Sequence, residues 1–221
     1  DFFEAPPITY GPNDLNYRTR KLTRAQQDRA ATMFGLIEQE LRSEADVANS
    51  TGSLDTAHND DIRARPLREI EALAAAARQL IGVQSDKVIN NVTRCIERLN
   101  ILVMGLPDMD PNARIDGISS PRRTDDPFVM TLDLDKPGDR LRFSAAHELG
   151  HVLVHTESRP LSREAREAEA DTFASAFLLP REPMLVELSP TLTLAGYSRI
   201  KARWGVSMQA IIRRSFDLSV I

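Results

Sequence analysis

Apolar residues recur at helical spacing through LTRAQQDRAATMFGLIEQELRSEAD, so the pattern predicts a long helix with Thr23 at its N-cap. Before it, residues 1–22 hold three prolines and a Gly-Pro pair without steady periodicity, which predicts an extended arm. After it, the small polar stretch VANSTGSLDTAHNDD predicts a linker over residues 47–61. PLREIEALAAAARQLIG then opens on Pro66, suited to a first helical turn, and DKVINNVTRCIERLN predicts a second helix with one apolar face. From residue 101 the period shortens. ILVMGL, ARIDGISS and PFVMTLDL are brief, apolar or branched, and bounded by Gly, Pro and Asp, which predicts three short strands. Helices resume with RFSAAHELGHVLVH and SREAREAEADTFASAFLL, the latter stopped by Pro180, and two shorter helices follow across 190–217. The fold class expected is α+β, helix-rich, with a three-stranded sheet. Three regions are expected: an arm, helix and linker over 1–62, a catalytic unit over 63–187, and a helical pair over 188–221.

Composition narrows this picture only a little. A chain of 221 residues with 42% hydrophobic and 27% charged residues has the balance of a globular protein. A net charge of −4 argues against a surface that binds nucleic acid throughout. The one cysteine, Cys95, cannot close an intrachain disulfide, and no run approaches the ~20 apolar residues of a membrane span. A cytoplasmic, non-membrane protein is expected. The first residue is Asp1, which suggests a piece of something longer.

Three of the four histidines fall in one helix, at 147, 151 and 155. Residues four apart share a helix face, so His147 and His151 can aim both imidazoles at one ion, a geometry that suits zinc. Glu148 is rotated by about 100° from His147, near the ion without being a ligand. Zinc lowers the pKa of its water to roughly 7 and a carboxylate alongside can take the proton, which implies amide hydrolysis. His155 is about 12 Å along the axis from His147, too far to share an ion, and is expected behind the ligands or lining the cleft.

A third ligand is needed. A histidine six residues beyond the second is absent, because position 157 is glutamate. The next helix offers Glu164, Glu167, Glu169 and Asp171. Glu167 and Asp171 share a face, and one carboxylate on the metal with a second orienting a histidine would use that pair. For Glu164 and Glu169 a solvated face is expected. Gly150, inside a helix at a cost of about 1 kcal/mol, suggests that another element approaches closely there.

DRLRFSAAHELGHVLVH followed by EAEADTFASAFLLP resembles the ImmA/IrrE-like zinc metallopeptidases of the gluzincin group. The likeness runs from about residue 67 to the end and includes ARIDGISS and KARWGVSMQAIIRRS. It implies one Zn2+ per chain on His147, His151 and Glu167, Glu148 as general base, and Asp171 behind a ligand, with Glu169 as the fallback ligand. It implies a protein substrate, typically a helix-turn-helix repressor whose cleavage releases genes for stress response, DNA-damage tolerance or mobile elements. It also implies a DNA-binding module ahead of DFFEAPP in many relatives. Such enzymes take substrate as an added strand on a sheet edge, and Val129, Met130 and Thr131 in PFVMTLDL are the expected edge.

The proton donor is open among His155, Tyr197 and Arg213. A different class of function centres on the C-terminus. There Arg199, Lys201, Arg203, Arg213 and Arg214 face Asp217 alone, and a turn at Trp204-Gly205-Val206 suggests a helix-turn-helix with Arg213 and Arg214 as DNA contacts. A metal-bound sensor or DNA-binding regulator acting without proteolysis is therefore the alternative to a peptidase.

Overall fold

The computed structural model describes residues 8–11, 14–19, 22–45, 64–106, 115–120, 128–155 and 161–221. The expected linker at 47–61 and the DFFEAPP segment lie outside these residues. Strand β1 (Asn16–Thr19) precedes α1 (Arg24–Ala45), α2 (Leu67–Leu80), α3 (Val92–Glu97), β2 (Ile101–Gly105), β3 (Ile115–Ser119) and β4 (Phe128–Leu132). Then come α4 (Gly138–Val154), α5 (Arg163–Leu178), α6 (Arg181–Glu187), α7 (Leu194–Trp204) and α8 (Met208–Asp217). The architecture is α+β and helix-rich, as the periodicities indicate.

Among the described residues the sheet has four strands in the order β1-β3-β4-β2, not the three expected. The added strand is β1, drawn from the proline-rich arm and antiparallel to β3, with Tyr17 opposite Ile118 and Arg18 opposite Gly117. β3 is antiparallel to β4, and β4 runs parallel to β2 with Val129 opposite Leu102. The edge expected at Val129, Met130 and Thr131 is therefore not an edge. β4 is paired on both sides and these three residues are fully buried, so their main chain is not open to another strand. Among the described residues the edges are β1 and β2.

Alternation along the strands divides the side chains between two helical layers. Ile118 and Val129 meet Leu15, Tyr17, Ala30, Ala31 and Phe34 beneath α1. Met130 and Leu132 join the larger core with Ala145, Ala146 and Leu149 of α4 and Phe173 and Phe177 of α5. Thr23 caps α1 through a reciprocal pair: its hydroxyl accepts from Gln26 N at 3.3 Å, and its own N–H donates to Gln26 Oε1 at 3.0 Å.

The helix expected over 86–100 is shorter, starting at Val92, where Asn91 accepts from Arg94 N. Pro180 stops α5 and also precedes α6, a short helix the periodicity did not suggest. Gly205 ends α7 at φ 67, a left-handed turn into α8 whose first-turn N–H of Ala210 is capped by Ser207. Ile211 and Leu218 of this helical pair, with Val206 in the turn, pack in the same core as α4 and α5.

Candidate metal centre

Helix α4 is buried from Ser144 to Val154, so it runs through the interior with its histidine face turned toward α5 and its opposite flank under the sheet. Two glycines permit this depth. A Cβ at Gly150 would meet Ala170 Cα and O, each at 3.2 Å, which is the close approach the sequence suggested. A Cβ at Gly117 would meet Glu148 Cγ at 3.1 Å, so a bare β3 backbone lets the glutamate lie directly beneath it.

His147 Nε2 and His151 Nε2 converge to 3.0 Å. Glu167 reaches them from α5, with Oε2 3.4 Å from His147 Nε2 and Oε1 3.6 Å from His151 Nε2. These three form a group whose ligand atoms lie within 4.8 Å of one another. Tetrahedral zinc with bonds of 2.0–2.2 Å spaces neighbouring donors by about 3.3–3.6 Å, which the two histidine–glutamate separations match, with the histidine pair slightly closer. The donor set of two imidazoles and one carboxylate therefore fits a zinc ion with an open fourth position. Glu169 stands elsewhere.

Behind each histidine is a second partner. His147 Nδ1 lies 2.8 Å from Asp171 Oδ1, and Asp171 also accepts from Arg18 Nη1 of β1 at 3.0 Å. Burial opposes the ionised form of Asp171, but bonds to His147 and Arg18 outweigh it and bring its pKa down to about 2. Burial works against a charged His147, yet Asp171 and Glu167 raise its pKa overall. His151 Nδ1 lies 2.9 Å from His155 Nδ1. Burial, then the two neighbouring histidines, lower the pKa of His151 well below the ordinary value, leaving it the neutral imidazole that a metal takes.

Glu148 is fully buried beside this group. One oxygen, Oε2, accepts from the Ser119 hydroxyl at 2.6 Å, while Oε1 has no partner among the described residues. Burial pushes its pKa up to about 7 against the opposing pull of His147 and Ser119. A carboxyl group held by one oxygen, with the other free and a pKa near neutrality, is suited to taking and returning a proton.

The structure thus brings together His147, Glu148, His151, His155, Glu167 and Asp171. It places Glu169 away from solvent, 3% exposed, with Oε2 3.3 Å from His155 Nε2 and Oε1 accepting from Arg65 N at 2.6 Å. The solvated position expected for Glu169 is corrected, whereas Glu164 is exposed as expected. Neither Tyr197 nor Arg213 takes part in the described contacts of the group. Arg214, expected on a DNA-facing surface, is wholly buried. Its Nη2 pairs with Glu71 at 2.7 Å and its Nε donates to Leu179 O at 3.0 Å, so it joins α8 to α2 and to the end of α5. Arg213 is exposed and pairs with Asp217 one turn along α8.

Ser119, Arg18 and Arg166 were not singled out from sequence. Arg166 Nη2 donates to Asn16 Oδ1 at 2.7 Å. Each acts across a long stretch of chain, and no local spacing marks them.

Among the described residues no helix is long and apolar enough to cross a membrane. Among curated proteins, none matches the chain. A solved structure of a Mycobacterium tuberculosis transcriptional regulator matches at 19% identity with a TM-score of 0.47, over 66% of this chain. The alignment takes in 46% of that regulator, less than half its length. The model of the peptidase family described as the IrrE N-terminal-like domain matches residues 96–216. That span holds the three candidate ligands, the buried glutamate and the carboxylates behind them. The chain belongs to the IrrE N-terminal-like peptidase family.

Proposed function

We propose that the protein is a zinc-dependent endopeptidase acting on a protein substrate, an exposed extended segment of a helix-turn-helix repressor. The observation that carries this reading is the triangle of His147, His151 and Glu167 with the half-bonded Glu148 carboxylate beside it. Zinc in that triangle would lower the pKa of its water and polarise the scissile carbonyl. Glu148 would accept the proton of the attacking water on Oε1, held in place by Ser119, and hand it on to the leaving amine. Asp171 and His155 would fix the orientation of the two histidines. The regulatory outcome, release of stress, DNA-damage or mobile-element genes, rests on the family resemblance.

The test compares new protein N-termini in host cells making the wild-type chain or Glu148→Gln, with and without DNA damage. A terminus that depends on Glu148 supports proteolysis and identifies the substrate. Cleavage that persists in Glu148→Gln, with zinc still bound, removes this mechanism, whereas the absence of any new terminus under both conditions favours a metal-bound regulator acting without proteolysis.

A further inference from the structure

The catalytic group is covered. His147, Glu148 and His151 are each 2% exposed or less, yet a peptide bond must come beside them. β3 lies directly over Glu148, through the Ser119 hydroxyl and the bare Gly117 backbone. The side of β3 that faces away from β4 is therefore the side from which an extended chain would reach the site.

That side already holds an extended chain. β1 lies on it in antiparallel register, four residues long, bonded among the described residues on one side only, with an irregularity between Arg18 and Thr19. Its side chains alternate as those of a bound peptide would. Leu15 and Tyr17 enter the apolar layer with Phe34, Ile118 and Val129. Asn16 and Arg18 turn to the metal side, where Arg166 holds the first and Asp171 the second, and the Arg18 guanidinium lies 4.8 Å from the Phe143 ring centroid. The fit is imperfect in one respect: the Nε atoms of both Arg18 and Arg166 are buried with no acceptor among the described residues.

We propose that the outer edge of β3 is the docking edge for substrate, that Asn16–Thr19 occupies it as an internal stand-in, and that substrate binds by displacing this strand. The inference rests on the peptidase reading and adds a substrate class to it. The displacing segment is an extended stretch of protein whose residues alternate in the order apolar, polar, aromatic or apolar, basic. The basic residue meets Asp171, and the apolar ones refill the layer beneath α1.

The test uses the full-length, zinc-loaded chain with Glu148→Gln, so that nothing is cut, and a synthetic peptide copying residues 12–21, PNDLNYRTRK. A tethered strand competes at an effective concentration on the order of millimolar, so the chain also carries Arg18→Ala while the peptide keeps its arginine. Unchanged zinc content and unfolding midpoint show that this variant is folded. Hydrogen exchange is read at the chain's own amides. The expected result is saturable binding, an increase of about ten-fold or more in exchange at 16–19, and continued protection of 115–119. A peptide with glutamate at the arginine position is expected to bind about ten-fold more weakly or worse.

No binding up to about 1 mM peptide overturns the proposal. Binding that leaves 16–19 protected also overturns it, because substrate would then add outside β1. Since no cleavage is involved, this exchange can succeed where the search for Glu148-dependent termini fails, and the reverse, so the two readings fall separately.

Discussion

His155 Nδ1 stands 2.9 Å from His151 Nδ1, and its Nε2 faces Glu169 Oε2 at 3.3 Å. With Glu169 in turn accepting from Arg65 N, a buried row runs from the main chain ahead of α2 to one histidine of the candidate metal centre. Such outer partners set the tautomer and ring angle of a ligand, and losing one typically weakens metal binding by 10- to 100-fold. His155→Ala is expected to raise the zinc dissociation constant within about that range, and Glu169→Gln by less. Competition with a coloured chelator measures both. An unchanged affinity in His155→Ala would show that the row does not position the ligand.

Gly150 sets the distance between the helices that supply the ligands. In Gly150→Ala the new methyl meets α5 backbone at 3.2 Å, where no side chain can swing aside. The gain in helix propensity of about 1 kcal/mol is outweighed by forced separation, for a net loss of roughly 1–2 kcal/mol. Urea unfolding checks the stability. Because Glu167 rides on α5, zinc affinity should fall in the same variant.

Arg213 and Arg214 are neighbours in sequence with opposite expectations. Arg214→Ala takes from Glu71 its shorter ion pair, leaving only Arg181 at 3.3 Å among the described residues, and empties a buried volume, so a loss of about 2–5 kcal/mol is expected. Arg213→Ala removes an exposed pair and should change stability by well under 1 kcal/mol. Chemical unfolding of the two variants separates them. Any loss of DNA binding in Arg214→Ala would then be a folding effect.

Burial, followed by the charges of Asp14 and Asp28, pushes the Tyr17 hydroxyl up to about 12. The unfolded chain ionises near 10, so this group's contribution to stability is complete below pH 10. It declines as pH rises from 10 to 12, by roughly 3 kcal/mol at the end. Comparing unfolding midpoints at pH 9 and 11 for wild type and Tyr17→Phe isolates it. The wild type should lose more stability across that interval than the variant.

The candidate metal site was legible because its chemistry is local. His147 and His151 are one turn apart, and Glu167 and Asp171 follow in the next helix, so helical spacing alone brings them within reach. The sheet was less legible because strand order is decided between distant segments. β4 reads as an ordinary short apolar strand whether it lies inside or at an edge, and only the antiparallel insertion of β3 beside it closes its second side. β1 was hidden for a related reason: four residues in a proline-rich arm offer too little alternation, and the partner that makes them a strand is Ile115–Ser119. Arg214 and Glu169 look like surface charges in sequence because the groups that neutralise them, Glu71 and His155 with Arg65 N, belong to other elements.

The pairing of β1 with β3 also orders events in time. Asn16 is made early, but Ser119 and Asp171 leave the ribosome long afterwards, so the growing chain carries an unpaired strand and a waiting arginine while most of the protein is synthesised. Contacts of such sequence separation close late and slowly. The nascent chain thus completes its candidate metal site from α4 and α5 in one local step, and acquires the strand that lies across it in a separate, long-range one.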